Sequence, residues 1–332
     1  MSSKVELTFG GGTFQSETGF GGPEEKKEAL SVLQAEGVTT IDTAAIYGES
    51  EQILGKLGAA KTHTIDTKYP GGFSPTPTTK ELIIASADES LKKLQTDQVD
   101  VFYLHSPDRR VPFEVSVDAI NTLHKDGKIK RFGISNFLAE EVEELIRIAK
   151  EKNWIAPTVY QGNYSAVARR AEKELFPVLR KHGIQFYAYS PIAGGFLTKD
   201  VNQLVENGQG RWDPATMVGA LYRELYNKPT MLEGLKLWET ISKETGIAKV
   251  ELAYRWVIFN SILKGEHGDK VIFGARNLKQ LKETVGFAKK GPLSAEVAQK
   301  IEQVWKLVEA EAPLDNYNDG LVPMQEKGFK FS

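Results

Sequence analysis

Along nearly the whole chain, short runs rich in β-branched and aromatic residues alternate with longer segments whose apolar residues recur at helical spacing. "VELTFGGGTF" predicts a strand, and "PEEKKEALSVLQAEG" predicts a helix with Pro23 in its first turn. The same pairing recurs in "TTIDT" with "ESEQILGKLGA" and in "THTIDTK" with "TTKELIIASADESLKKL". In the second of these, the spacing of Thr78 and Glu81 predicts a capping box. It continues in "VDVFYLH" with "PFEVSVDAINTLHKDG", "IKRFGISN" with "LAEEVEELIRIAKEKN", and "TVYQGNY" with "EKELFPVLRKHG". "IQFYAYSP" is followed by a long irregular region, and "DKVIFGAR" by "LKQLKETVGFAKK".

The strand runs are apolar on both faces, as parallel strands covered by helices must be. Unbroken alternation predicts one sheet of the α/β class. Eight strand–helix units in about 290 residues fit a (β/α)8 TIM barrel, which usually takes about 250 residues plus insertions. A doubly wound open sheet is the competing architecture. Its dinucleotide-binding form carries a G-x-G-x-x-G turn after the first strand, and neither "FGGGTFQ" nor "GFGGPEE" has that spacing. The expectation is a single barrel domain over residues 1–332, with a long insertion (190–250) after the seventh strand, extra C-terminal helices and an irregular tail (311–332).

Composition narrows the function little. Among 332 residues, apolar types make up 41%, charged types 26%, and the formal net charge is −2. There is no global field to draw nucleic acid or an anionic membrane. The absence of cysteine excludes disulfides, thiolate chemistry and cysteine-bound metal centres. His63, His105, His124, His182 and His267 lack metal-ligand spacing, so no metal is expected. No secretory h-region or membrane-length apolar run is present, and a cytoplasmic protein is the default expectation.

Catalytic groups of such barrels lie where strands run out. The second strand ends at Asp42 with Tyr47 on its loop, the third at Lys68, and the fourth at His105. Each has an ordinary reading when taken alone: a helix cap, a packing ring, a surface lysine, a buried histidine. Together they define a chemistry. An ammonium within reach of a phenol favours the phenolate, so the phenol becomes a better acid near neutral pH. A carboxylate beside the lysine keeps it charged and in place, and an imidazole can hold a carbonyl oxygen. That is a general acid beside a carbonyl-binding spot.

The stretches "IDTAAIYGESEQILG", "FYLHSPD", "RFGISNF", "VYQGNY" and "FYAYSPIAGGFLTKD" resemble the aldo-keto reductase superfamily. "LHSPDRRVPFE" and "GEHGDKVIFGARNLKQL" are most similar to its aflatoxin-aldehyde reductase branch and that branch's fungal relatives. The resemblance implies NADPH-dependent reduction of an aldehyde or ketone, with NADH the lesser cofactor, by a tetrad of Asp42, Tyr47, Lys68 and His105 in which Tyr47 is the acid. It implies cofactor contacts at Asp42, Ser135, Asn136, Gln161, Tyr189, Ser190, Pro191, Ala193, Gly195, Leu197, Lys199, Arg211, Gly274, Arg276 and Gln280. Arg276 would grip the 2′-phosphate that distinguishes NADPH. Phe73, Tyr164, Trp212 and Tyr222 are expected around the substrate. The branch motif Y-R-x-R reads here "YREL", so Leu225 stands where a carboxylate-binding arginine is expected, which points to a neutral carbonyl. The expected partner is a small carbonyl compound, and a homodimer would match the branch. A regulatory role resembling the potassium-channel β-subunits, or a cofactor-binding protein with trivial turnover, are the competing readings.

Overall fold

The computed structural model describes residues 4–16, 19–205 and 212–328. Eight parallel strands close into a barrel in chain order. They are β1 (Glu6–Gly10), β2 (Thr40–Asp42), β3 (Thr64–Tyr69), β4 (Val99–Leu104), β5 (Ile129–Ser135), β6 (Pro157–Asn163), β7 (Gln185–Tyr189) and β8 (Lys270–Phe273). β1 pairs with both β2 and β8, which closes the cylinder and leaves no free sheet edge. With the helices around it, this is the expected (β/α)8 architecture.

The first five strands are followed by α1 (Pro23–Ala35), α2 (Ser50–Lys56), α3 (Lys80–Leu94), α4 (Phe113–Lys125) and α5 (Ala139–Lys152). After β6 come α6 (Ala171–Glu174) and α7 (Phe176–Lys181). α8 (Val201–Val205), α9 (Met217–Tyr226), α10 (Pro229–Thr245) and α11 (Lys249–Arg255) separate β7 from β8. α12 (Leu278–Phe287), α13 (Ala295–Val308) and α14 (Val322–Glu326) complete the chain. The start of α3 differs from expectation. Thr79, not Thr78, is its cap, with Oγ1 accepting the Leu82 N–H at 3.2 Å. The Thr78 amide is taken instead by Asp108. α3 and α5 end on Gln95 and Asn153 in left-handed conformations, which turn the chain out of each helix.

The chain divides into two compact units, described separately. The first comprises Met1–Gln161, Val178–Tyr187 and Gly265–Val285. Its strand interior is packed by Val101, Tyr103, Val159, Tyr187 and Ile272. At the N-terminal strand ends, Arg131 grips Asp100 with two hydrogen bonds of 3.1 and 2.6 Å. It also donates to Gln185 Oε1 at 2.8 Å and to the Tyr187 hydroxyl at 3.2 Å. Asp66 lies fully buried in β3, its Oδ1 accepting the Val101 N–H at 3.1 Å. Burial, then the negative charges of Asp42 and Asp100, push its carboxyl up to about 7.

The second unit comprises Gly162–Pro177, Ala188–Lys264 and Gly286–Ser332. α10 and α13 pack side by side, and the Trp238 indole of α10 donates to the Leu197 carbonyl at 3.1 Å. The described part of the tail, residues 311–328, is more helical than the sequence suggests. Asp315, 2% exposed, accepts the amides of Tyr317 (2.8 Å) and Asn318 (2.6 Å) and opens a helical stretch through α14. No described helix is long and apolar enough to cross a membrane.

Candidate active site

The β2, β3 and β4 termini bring the tetrad together. Asp42 closes β2, and Tyr47 follows in a turn whose amide bonds back to Ala44 O at 3.0 Å. The turn is fixed from below by two side chains of α2. Ser50 Oγ donates to Gly11 O at 2.7 Å and lies 2.8 Å from Thr43 Oγ1. Glu51 accepts the Thr67 hydroxyl at 2.6 Å. Both are buried. Neither was singled out from sequence, because a Ser and a Glu opening a helix read as ordinary first-turn residues.

Lys68 is fully buried, and its ammonium donates to Asp42 Oδ2 at 2.6 Å and to Thr43 O at 2.7 Å. Nζ lies 5.1 Å from the centroid of the Tyr47 ring. Burial alone would favour the neutral amine, but Asp42 first, and then Tyr47, outweigh it and hold Lys68 above the ordinary lysine range. Lys68 is therefore a permanent cation at physiological pH. His105 ends the set, with its ring edge-on to Tyr47 (5.7 Å, 77°) and to Phe73 (5.0 Å, 75°). Burial, reinforced by the Lys68 charge, drives its pKa well below the ordinary value, so the imidazole is neutral. A neutral ring with one N–H can polarise a carbonyl oxygen without taking its proton.

The expected carboxamide ligands surround the same set. Gln161 Nε2 donates to Asp42 Oδ1 at 2.8 Å, which ties this expected ligand to the tetrad carboxylate. Asn136 sits at φ +63°, and its Nδ2 donates to His105 O at 2.8 Å and to Ser135 Oγ at 3.1 Å. Gly274, Arg276 and Gln280 are exposed around the start of α12. Gln280 Oε1 accepts the Arg276 amide at 3.0 Å, while the Arg276 guanidinium has no carboxylate partner among the described residues. An unpaired guanidinium beside a helix N-terminus suits a phosphate.

In the second unit, the segment from Tyr189 to Lys199 has unusual backbone geometry. Ser190 (φ +56°), Ala193 (φ +50°), Gly194 (φ +63°) and Gly195 (φ +98°) are all left-handed. Non-glycine residues hold such conformations at a cost and cluster at ligand-binding turns. Pro191 and Leu197 are buried within the segment. The Leu197 and Lys199 carbonyls are spent on Trp238 and Lys249. The Tyr189 hydroxyl accepts the Asn316 amide at 3.2 Å. Trp212 donates to Gly194 O at 3.1 Å and stacks on Tyr222 with ring centres 5.9 Å apart. Trp212 and Tyr222 are 1% and 6% exposed, so within this unit their rings brace the turn. Arg211 lies outside the described residues.

Two expectations about the substrate wall do not survive. Tyr164 is fully buried, its ring against Phe176 and Trp256 and its hydroxyl donated to Glu172 at 2.6 Å. It leaves the strand end pointing into helix packing. Leu225 is also fully buried, on the face of α9 that meets Gly320, so it is a core residue of the second unit. The neighbouring Arg223 is taken by the carbonyls of Trp212 and Leu204, both at 3.1 Å. Phe73 remains as the half-buried ring beside His105.

A closed eight-stranded barrel whose strand ends carry a buried lysine–carboxylate pair, a phenol and a neutral imidazole is the setting of a carbonyl oxidoreductase. The profile of the aldo/keto reductase family matches residues 6–306, and the chain belongs to that family of nicotinamide-using oxidoreductases. It is 40% identical over 292 residues to the oxidoreductase sirO of Leptosphaeria maculans, covering 87% of this chain and 88% of that one. It is 38% identical to the human aflatoxin B1 aldehyde reductase member 4, covering 83% of this chain and 87% of the relative. The aldo-keto reductase MYCFIDRAFT_156381 of Pseudocercospora fijiensis is 37% identical over 84% of this chain and 97% of its own length.

Proposed function

We propose that the protein is an NADPH-dependent reductase of neutral aldehydes or ketones, with Tyr47 as the proton donor. The observation that supports this most is the convergence of Lys68, Asp42, Tyr47 and His105 from three successive strand ends. When bound, the reduced nicotinamide supplies the hydride. The residues of the chain do the rest. His105 holds the carbonyl oxygen through the N–H of its neutral ring. Tyr47 gives its proton to that oxygen as negative charge builds there, and Lys68 stabilises the phenolate left behind. Asp42 fixes the lysine, and Gln161 fixes Asp42.

The NADPH preference rests on Arg276, whose guanidinium can take a 2′-phosphate in a forked hydrogen bond. Ser135, Asn136 and Gln161 would hold the carboxamide. With Leu225 in the core, the case for a neutral substrate now rests on Phe73, an apolar ring set edge-to-face with His105. The names of the relatives, which include aflatoxin aldehyde reductases, fit an aldehyde. A cytoplasmic setting belongs to the same reading.

The test is loss of NADPH absorbance with 4-nitrobenzaldehyde, pyridoxal and succinic semialdehyde. Turnover should be fastest on the neutral aromatic aldehyde. Arg276→Ala should weaken NADPH binding by roughly tenfold or more, the scale of a charge-assisted hydrogen-bond pair, and leave NADH nearly unchanged. Equal losses for both cofactors would refute the 2′-phosphate role.

A further inference from the structure

The five residues from His105 to Arg109, and Arg110 after them, read "HSPDRR". Nothing in the tetrad chemistry requires two arginines there. In the fold they point to different neighbours. Arg110 reaches back to the β3–α3 connection, where its guanidinium donates to Ser74 O at 2.9 Å, Pro75 O at 3.0 Å and Thr76 O at 3.2 Å. It also takes both oxygens of Asp108 at 2.7 and 2.9 Å. Asp108 itself accepts the Thr78 amide at 2.8 Å. Closer to the strand end, Ser106 Oγ accepts the Phe73 amide at 3.2 Å and donates to Pro70 O at 3.1 Å. Gly71, at φ +62°, permits this contact, since a Cβ there would lie 2.1 Å from Ser106 O.

Arg109 reaches forward. It binds Glu141 with two hydrogen bonds of 2.6 and 3.1 Å, and Glu141 accepts the Leu138 amide at 2.7 Å where α5 begins. That connection carries Ser135 and Asn136, and Asn136 in turn holds the His105 carbonyl. One short segment thus grips the connection before it, which carries Phe73, and the connection after it, which carries the carboxamide ligands.

We infer that Arg110 and Arg109 are positioning residues with separate duties: Arg110, with Asp108, sets Phe73 against His105 for carbonyl recognition, and Arg109, through Glu141, sets Ser135 and Asn136 for the cofactor. The inference rests on the reductase reading above. Both arginine side chains are partly exposed, 41% and 39%, while the carboxylates they hold, Asp108 and Glu141, are 2% and 11% exposed. Their value is geometric. A planar guanidinium can serve three carbonyls and a carboxylate at once, and an ammonium cannot. Lysine at either position therefore keeps the charge and loses the grip.

The experiment uses the full chain with Arg110→Lys, Arg110→Ala, Arg109→Lys and Arg109→Ala. The readouts are NADPH affinity by fluorescence, and KM and kcat for 4-nitrobenzaldehyde and for propionaldehyde. Both Arg110 variants should raise KM for the aromatic aldehyde roughly tenfold, the loss of about one charge-assisted hydrogen bond, with NADPH affinity within about twofold. Both Arg109 variants should do the reverse. In a Phe73→Ala background, Arg110→Ala should add nothing further to KM, because the ring it positions is gone. The inference is overturned if lysine at 110 behaves as wild type, if both arginines shift the same constants, or if the Phe73 background leaves the Arg110 effect intact. Failure of the reductase reading would show differently, as absent turnover in the unsubstituted protein.

Discussion

The two ends of the strand interior in the first unit each hold a cation against a carboxylate, and the pairs are built to opposite purposes. At the N-terminal ends, Arg131 is held by four hydrogen bonds, two to Asp100 and one each to Gln185 and Tyr187. At the C-terminal ends, Lys68 has Asp42 and a backbone carbonyl, and its charge is felt by Tyr47 and His105. Asp42 and Lys68 are far more buried than the Arg131–Asp100 pair, with side-chain exposures of 4% and 0% against 28% and 18%. A planar guanidinium locked by several acceptors stabilises an end of a sheet. A compact ammonium with one carboxylate partner, set among the Tyr47, Tyr103 and His105 rings, is placed to shift their titration.

The contrast can be broken by substitution. The largest effect is expected from Tyr47→Phe, which should cut kcat by roughly 10²–10⁴-fold while NADPH still binds, as loss of a general acid does. Retention of most of the rate would remove Tyr47 from the chemistry. Next, Lys68→Met should lower kcat by less than Tyr47→Phe does and also lower stability by about 3–5 kcal/mol, because Asp42 is left charged and buried. Arg131→Met should cost only about 1–3 kcal/mol in chemical denaturation and leave kcat near wild type. If Arg131→Met damaged turnover as severely as Lys68→Met, the division between the ends would be wrong.

A pH-dependent effect concerns Asp66, whose position between the two pairs in β3 sharpens the comparison. Its folded carboxyl, near 7, lies above the value of 3.8 it has when exposed. The folded state therefore holds an extra proton between these values, and this contribution to stability falls as pH rises through that window, by at most about 1.4 kcal/mol per pH unit. Asp66→Asn should remove the slope. The difference in melting temperature between wild type and Asp66→Asn should shrink or reverse from pH 4 to 7 and level off above it. A difference independent of pH would show that Asp66 does not titrate in this range.

Much of the first unit was legible because its chemistry is carried by side-chain type at strand ends. Asp42, Lys68 and His105 each sit at or beside the end of a short β-branched or apolar run, and a barrel topology converts that position into proximity. The strand–helix order was legible for the same reason, since periodicity reports burial directly. What failed was orientation. Tyr164 and Leu225 occupy plausible sequence positions, but whether a ring at a strand end turns inward or toward a helix depends on Phe176, Trp256 and Gly320, residues distant in sequence. The roles of Ser50, Glu51, Asp108 and Arg110 were hidden for a related reason. Each acts on backbone groups across connections, and no periodicity encodes such pairings. The Thr79 cap was missed because two adjacent threonines satisfy similar spacing rules, and Asp108, some thirty residues on, claims the amide of the first.

The turn at Gly194 constrains how this chain can change over time. A methyl group there would stand 2.1 Å from the Tyr222 ring, and the backbone sits at φ +63°. Neither side can be altered in a single step without a clash, or a void beneath Trp212. A lineage or a directed library reshaping this turn would have to replace Gly194 and the aromatic at 222 together, which makes the pair a slow gate on diversification.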